Sequence, residues 1–224
     1  MGRSVYIAYT GGTIGMTRKP GGYAPAPGFL EAQMRQMPEL QSQEVPAFAV
    51  HQYEPLLDSA NMAPADWNAI AEDIAQNYAK YDGFVVLHGT DTMAYTAAAL
   101  SFMLEGLAKP VVMTGSQIPI GELRNDARGN LITSLLVAGM RDLAEVFLCF
   151  NGKLLRGNRA VKVSATGLMP STRRTLRRWG RSGSASRSTT SACAGLRACR
   201  SACSAAAPAP WPRFGFSRAS PPRS

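Results

Sequence analysis

Histidine is nearly missing from this chain: there are two, His51 and His88, in 224 residues. They lie far apart, and no Cys/His cluster has the short spacing of a metal centre. A Ser-His-Asp hydrolytic triad has little to be built from. Aromatic residues make up only 8%. No window approaches the roughly 20 unbroken apolar residues of a membrane span. The N-terminus, MGRSVYIAYTGGTIG, enters a strand-like run almost at once. It carries no basic region, apolar stretch and cleavage site in series, so no secretory signal is expected and a cytoplasmic location is. Cysteine is scarce, and three of the four fall late in the chain (Cys193, Cys199, Cys203). Without export, no disulfide framework is expected. Cys149 sits alone in an apolar run and reads as a small buried hydrophobe.

What is present is enough for a globular protein. Apolar residues make up 46%, which supplies a core and excludes fibrous, collagen-like and wholly disordered classes. The net charge of +9 suggests a nucleic-acid or membrane binder, but its distribution weakens that reading. Met1 to Gly167 holds 13 Lys and Arg against 15 Asp and Glu, a net of −2. Leu168 to Ser224 holds 11 Arg, no Lys and no acid, a net of +11. The body is mildly acidic, and the basicity belongs to the tail.

The body (1–167) alternates between two periods. VYIAY (Val5 to Tyr9), GFVVLHGT (Gly83 to Thr90), PVVMTG (Pro110 to Gly115) and EVFLCF (Glu145 to Phe150) read as buried strands. Trp67 to Tyr81 has a helical apolar stripe through Ile70, Ala71, Ile74 and Tyr78, with Asp66 ahead of it as a cap and Pro64 marking the turn. Thr92 to Glu105 and Asp126 to Arg141 read as two further helices. Strands alternating with helices imply an α/β fold, a doubly wound, mostly parallel sheet. Chemistry in such sheets lies at the carboxyl ends of the strands.

The tail (168–224) has neither period. It consists mostly of Arg, Ser, Ala, Pro and Cys, a composition expected to be disordered. It reads as a basic arm for nucleic acid, or as sequence translated out of frame from GC-rich DNA. LMPSTRRTLRRWG (Leu168 to Gly180) can be encoded so that one inserted base turns it into FDAFDSPNPAPLG.

The strand Val5 to Tyr9 runs into TGGTIG (Thr10 to Gly15). Two glycines there permit a tight turn, close backbone approach and an anion-binding concavity of N–H groups. A plain strand-helix turn would look the same. The run is not GxGxxG, since Thr10 stands where the first glycine belongs, and it lacks the Gly-Lys-Ser/Thr of a phosphate loop. Thr13 puts a hydroxyl on the turn. RKPGGYAPAPG (Arg18 to Gly28) has the composition of a mobile lid and contains Tyr23. HGTDTMAYTA (His88 to Ala97) places Thr90 and Asp91 at a second strand end. Thr92 reads as a helix cap, Asp91 as a cap or a functional acid, and His88 as a satisfied core histidine. Two threonines without a histidine need a Lys or a Tyr for proton transfer. Lys162, taken alone, reads as a solvated charge.

TGGTIG with a Tyr in the next Gly/Pro loop, then DSANM, HGTDTMAYTA, TGSQIP and RGNRAVK, resembles bacterial L-asparaginases of the cytoplasmic type I kind. The resemblance covers Ser4 to Gly167 in order, and the hidden frame at the junction continues it. It implies the fold of an asparaginase N-terminal domain, with the family's second, smaller domain absent. It implies hydrolysis of L-asparagine to aspartate and ammonia without a cofactor, homo-oligomers, and no nucleic-acid or membrane partner. Carried over residue by residue, Thr13 matches the first catalytic threonine and Tyr23 the lid tyrosine that contacts it. Thr90, Asp91 and Lys162 match the second constellation, with Asp91 on the substrate's α-amino group. Ser59 matches a holder of the α-carboxylate. N–H groups near Gly12 and Thr90 would stabilise the oxyanion. Which threonine attacks first stays open. Ala60 and Asn61 stand where relatives carry polar and acidic side chains. Two rival readings remain: an inactive fragment that only binds, and a basic-tailed nucleic-acid module.

Overall fold

The computed structural model describes residues 2–164, 167–170 and 214–215. In chain order its strands and helices are β1 (Ser4–Gly11), β2 (Met16–Lys19), β3 (Gly22–Pro25), α1 (Phe29–Arg35), β4 (Ala47–Leu57), α2 (Pro64–Asn77), β5 (Gly83–Leu87), α3 (Met93–Met103), β6 (Leu104–Glu105), β7 (Val111–Thr114), α4 (Ala127–Ala138), β8 (Val146–Phe150), β9 (Lys153–Arg156), β10 (Ala160–Ser164), β11 (Gly167–Pro170) and β12 (Phe214–Gly215). Four of the strands and three of the helices are those the periodicity predicts, with ends that differ by a few residues.

Six strands form one sheet in the order β4-β1-β5-β7-β8-β9. The first five are parallel, and β9 closes the edge antiparallel to β8. The alternation of side chains along each strand divides the core in two. Tyr6, Ala8, Phe84, Val86, Met113 and Leu148 face α2 and α3 through Ile70, Ile74, Met93, Ala97 and Leu100. Val5, Ile7, Tyr9, Val85, Val112, Phe147 and Cys149 face α1 and α4 through Leu30, Met34, Leu131 and Leu135. Both faces are covered, so the strands read as unbroken apolar runs, as parallel strands do. Cys149 is fully buried, and burial pushes its thiol pKa up.

Several expectations need correction. The helix α2 starts at Pro64, three residues early, because proline suits the first helical position. Asp66 therefore caps from inside the first turn, accepting the N–H of Ala63 at 2.7 Å. Thr92 holds the N-cap position of α3, but its hydroxyl makes no cap bond and donates to the Ser59 carbonyl at 2.6 Å. The Gly/Pro loop after Thr13 is a hairpin: β2 pairs antiparallel with β3, Arg18 opposite Tyr23. β11 pairs antiparallel with β10, and β12 pairs with β6. Leu168 to Pro170 and Phe214–Gly215 thus form strands within the segment assigned to an aperiodic tail. The other tail positions lie outside the described residues. No helix among the described residues is long and apolar enough to cross a membrane.

Candidate active site

Strand order reverses beside β1: the chain leaves β1 for β4 on one side and returns to β5 on the other. Such a switch point opens a crevice at the carboxyl ends of the two strands, because their following loops diverge. The loop after β1 carries Gly11, Gly12 and Thr13. The loop after β5 carries His88 to Asp91. The two loops touch at their glycines. A Cβ on Gly12 would lie 2.6 Å from the Gly89 nitrogen, and one on Gly89 would collide with the Ser59 side chain. Gly12 also has φ +94° and ψ 173°, a conformation essentially confined to glycine.

The strand ends are held by side chains that bridge them. Thr10 Oγ1 donates to the Leu87 carbonyl at 2.9 Å, and Thr114 Oγ1 to the Cys149 carbonyl at 2.7 Å. Asn130 on α4 donates to the Gly115 carbonyl at 2.9 Å and accepts the Asn151 N–H at 2.8 Å. Asp126 accepts the N–H groups of Gln117 and Ile118 at 3.0 Å each.

Around this frame the sequence-predicted residues fall into two groups. Thr90 is buried, and Asp91 beside it is exposed. Lys162 Nζ, arriving on β10, lies 2.8 Å from Asp91 Oδ1. Ser59 Oγ donates to Asp91 Oδ2 at 3.4 Å. The hydrogen bond from Lys162, more than its charge at a distance, holds the Asp91 carboxyl below the ordinary range. Lys162 is thus an ion-pair partner rather than a free solvated charge. In the second group, Thr13 and Tyr23 line one cleft of about 470 Å³ with Gln117, Glu122 and Arg124. The Tyr23 hydroxyl donates to Glu122 Oε1 at 2.8 Å, and that bond raises the Tyr23 pKa. Thr90 does not line this cleft; the Gly12–Gly89 contact joins the two groups.

Two further polar residues at the site were not singled out from sequence. Ser116 Oγ and Gln117 Nε2 are buried without a hydrogen-bond partner. They follow β7 in TGSQIP, and their signal was available: polar residues directly after a buried strand, at the end where ligands bind. His88 is buried with both ring nitrogens within 3.0 Å of polar partners, the satisfied core histidine the sequence predicts. Burial lowers its pKa. Among the described residues no group of His, Cys, Asp and Glu could hold a metal ion.

Fold and site together define an open-sheet α/β protein whose candidate site consists of strand-end hydroxyls and one Lys–Asp pair at the switch point. Residues 4–178 match the family model described as "Asparaginase, N-terminal", and the chain belongs to this family. It is 58% identical over 165 residues to L-asparaginase 1 of Escherichia coli (strain K12), which covers 74% of this chain and 49% of that protein. It is 44% identical over 183 residues to the 60 kDa lysophospholipase of Mus musculus, covering 73% of this chain and 32% of the relative. The crystal structure of L-asparaginase I from Vibrio cholerae superposes with a TM-score of 0.70 at 49% identity, over 82% of this chain and 60% of that one. The chain spans about half the length or less of these curated relatives.

Proposed function

We propose that the protein is an amidohydrolase that converts L-asparagine to L-aspartate and ammonia through a threonine nucleophile, without a cofactor. The observation that carries this reading is the Gly12–Gly89 contact. It brings the loop bearing Thr13 against the loop bearing Thr90, Asp91 and, through Asp91, Lys162. The Thr13 oxygen attacks the side-chain amide carbon, and the nitrogen leaves as ammonia after taking up a proton. An ester to the threonine remains, and water hydrolyses it, releasing aspartate and restoring the hydroxyl. Lys162, held by Asp91, lowers the barrier to proton removal from Thr90 or from the attacking water. Asp91, kept ionised by Lys162, binds the substrate's α-ammonium, and Ser59 beside it binds the α-carboxylate. The N–H groups near Gly12 and Thr90 receive the developing oxyanion. Tyr23 closes over Thr13 from the hairpin.

The same proposal includes a cytoplasmic homo-oligomer acting on a small molecule, and a domain boundary at Gly167. The mild acidity of residues 1–167 supports a role without nucleic acid. The test is ammonia release from L-asparagine by the purified 224-residue chain and by Thr13→Ala. A lost nucleophile is expected to cost at least about a thousandfold in kcat; an unchanged rate would refute the assignment. The rival reading is binding without turnover. Calorimetric binding of L-aspartate with no ammonia release would select it.

A further inference from the structure

His88 has a place in this site that burial alone does not explain. Four groups form a directed chain from α2 to the Thr90 loop. Trp67 Nε1 lies 3.0 Å from Thr96 Oγ1. Thr96 Oγ1 lies 3.0 Å from His88 Nε2. His88 Nδ1 lies 2.7 Å from the Gly89 carbonyl oxygen. The chemistry of each group fixes the direction. An indole N–H only donates and a carbonyl only accepts. Trp67 therefore donates to Thr96, and His88 Nδ1 carries the proton given to Gly89. The ring is buried away from water, so it is neutral and Nε2 is bare. The Thr96 hydroxyl, already accepting from Trp67, donates its own proton to that nitrogen.

The last bond orients a peptide plane. In a trans peptide the C=O of one residue and the N–H of the next point to opposite sides. With the Gly89 carbonyl held toward the His88 ring, the Thr90 N–H points away from it. That N–H has no partner among the described residues. Gly89 has no side chain to bias the plane, and a glycine peptide is free to turn over. Something else must hold it, and the Nδ1–H of His88 is the group in place.

We infer that His88 is a positioning residue: its Nδ1–H pins the Gly89 carbonyl inward and thereby aims the Thr90 N–H at the reacting oxygen. This deepens the proposed amidohydrolase reading and rests on it for the role of that N–H. His88 transfers no proton and touches no substrate. Its contribution is to keep an oxyanion donor from being replaced by a carbonyl oxygen.

The experiment has two parts, both on the 224-residue chain. With only two histidines, a long-range proton–nitrogen spectrum of labelled protein shows two imidazoles, and His88→Asn identifies one by its loss. The expected form for His88 at pH 7 is neutral with the proton on Nδ1, the tautomer free imidazole disfavours. A proton on Nε2, or a charged ring, overturns the inference. The second part compares His88→Asn with His88→Gln. The Asn carboxamide nitrogen falls near the Nδ1 position and can still donate to Gly89, whereas Gln reaches toward Nε2 and cannot. His88→Gln should lose about a hundredfold in kcat with little change in KM, the cost of one oxyanion donor. His88→Asn should stay within about tenfold of the parent, well short of that cost. Equal losses in both variants, tracking a common fall in melting temperature, would mark a purely structural histidine. If the parent chain releases no ammonia, the proposed function fails. The pin is then judged by the Thr90 backbone amide resonance, expected in place in His88→Asn and displaced in His88→Gln. Displacement alike in both would refute it.

Discussion

Tyr9 places its hydroxyl deep in the molecule, against the α-carbon face of Gly15, with no hydrogen-bond partner. Burial pushes its pKa up to about 12. An unsatisfied buried hydroxyl costs ~1–3 kcal/mol of desolvation, and replacing it with an apolar isostere of the same shape removes that cost. Tyr9→Phe is therefore expected to leave stability unchanged or raise it by up to ~1 kcal/mol in urea unfolding. A loss of that size would reveal a partner for the hydroxyl. His88 makes a pH prediction of the opposite character. Its native pKa is lowered, first by burial, with its backbone bond to Gly89 and the charge of Asp66 opposing. The unfolded residue titrates near ~6.5. Below that value the unfolded chain binds a proton that the native chain does not, so stability rises with pH through the window and is complete above it. The urea midpoint should fall between pH 6.5 and 5 more steeply for the parent than for His88→Asn, which has nothing to titrate there. Identical slopes would mean that the ring is charged in the native state.

At the scale of elements, the site depends on how closely two turns approach. The turn after β1 can lie on the turn after β5 only while Gly12 has no side chain, since a Cβ there meets the backbone of His88 and Gly89. Backbone cannot rotate aside as a flexible side chain would. Gly12→Ala carries the conformational penalty of a non-glycine residue at this φ and ψ, ~1–3 kcal/mol, plus the clash. It is expected to lower the melting temperature and abolish ammonia release together. Full activity in that variant would show that the two loops need not touch. The hairpin of β2 and β3 presents Tyr23 from a different element, tied to the site through Glu122. The β7–α4 loop that carries Glu122 is anchored by Asp126. These links place the Tyr23 side chain at the cleft that Thr13 lines.

At the scale of the whole molecule, charge and periodicity divide at Gly167. The body is mildly acidic and periodic, whereas the tail is acid-free and Arg-rich. The codons at Leu168 to Gly180 can hide FDAFDSPNPAPLG one base away. We propose a frameshift near Leu168. Sequencing the DNA there and restoring one base should open a frame beginning FDAFDSPN. A stop codon soon after the restored base would defeat the idea.

By itself the sequence determined the elements with strong periods. Buried strands such as GFVVL announce themselves because both sides of each strand face apolar helices, and α2 because its stripe repeats at helical spacing. It also marked Thr13, Thr90 and Asp91 as strand-end polar groups, where open α/β sheets place their sites. It did not disclose β4, whose eleven residues mix His51, Gln52, Tyr53 and Glu54 with apolar ones and include Pro55. An edge strand has one neighbour and is partly exposed, so neither a continuous apolar run nor a strict alternation is imposed on it. Nor did it disclose that Lys162 meets Asp91 across 71 positions, or that Gly12 rests on Gly89. Those pairings follow from the order of strands in the sheet. Local periodicity carries no record of that order, because it is set by how successive crossovers pack on the two faces.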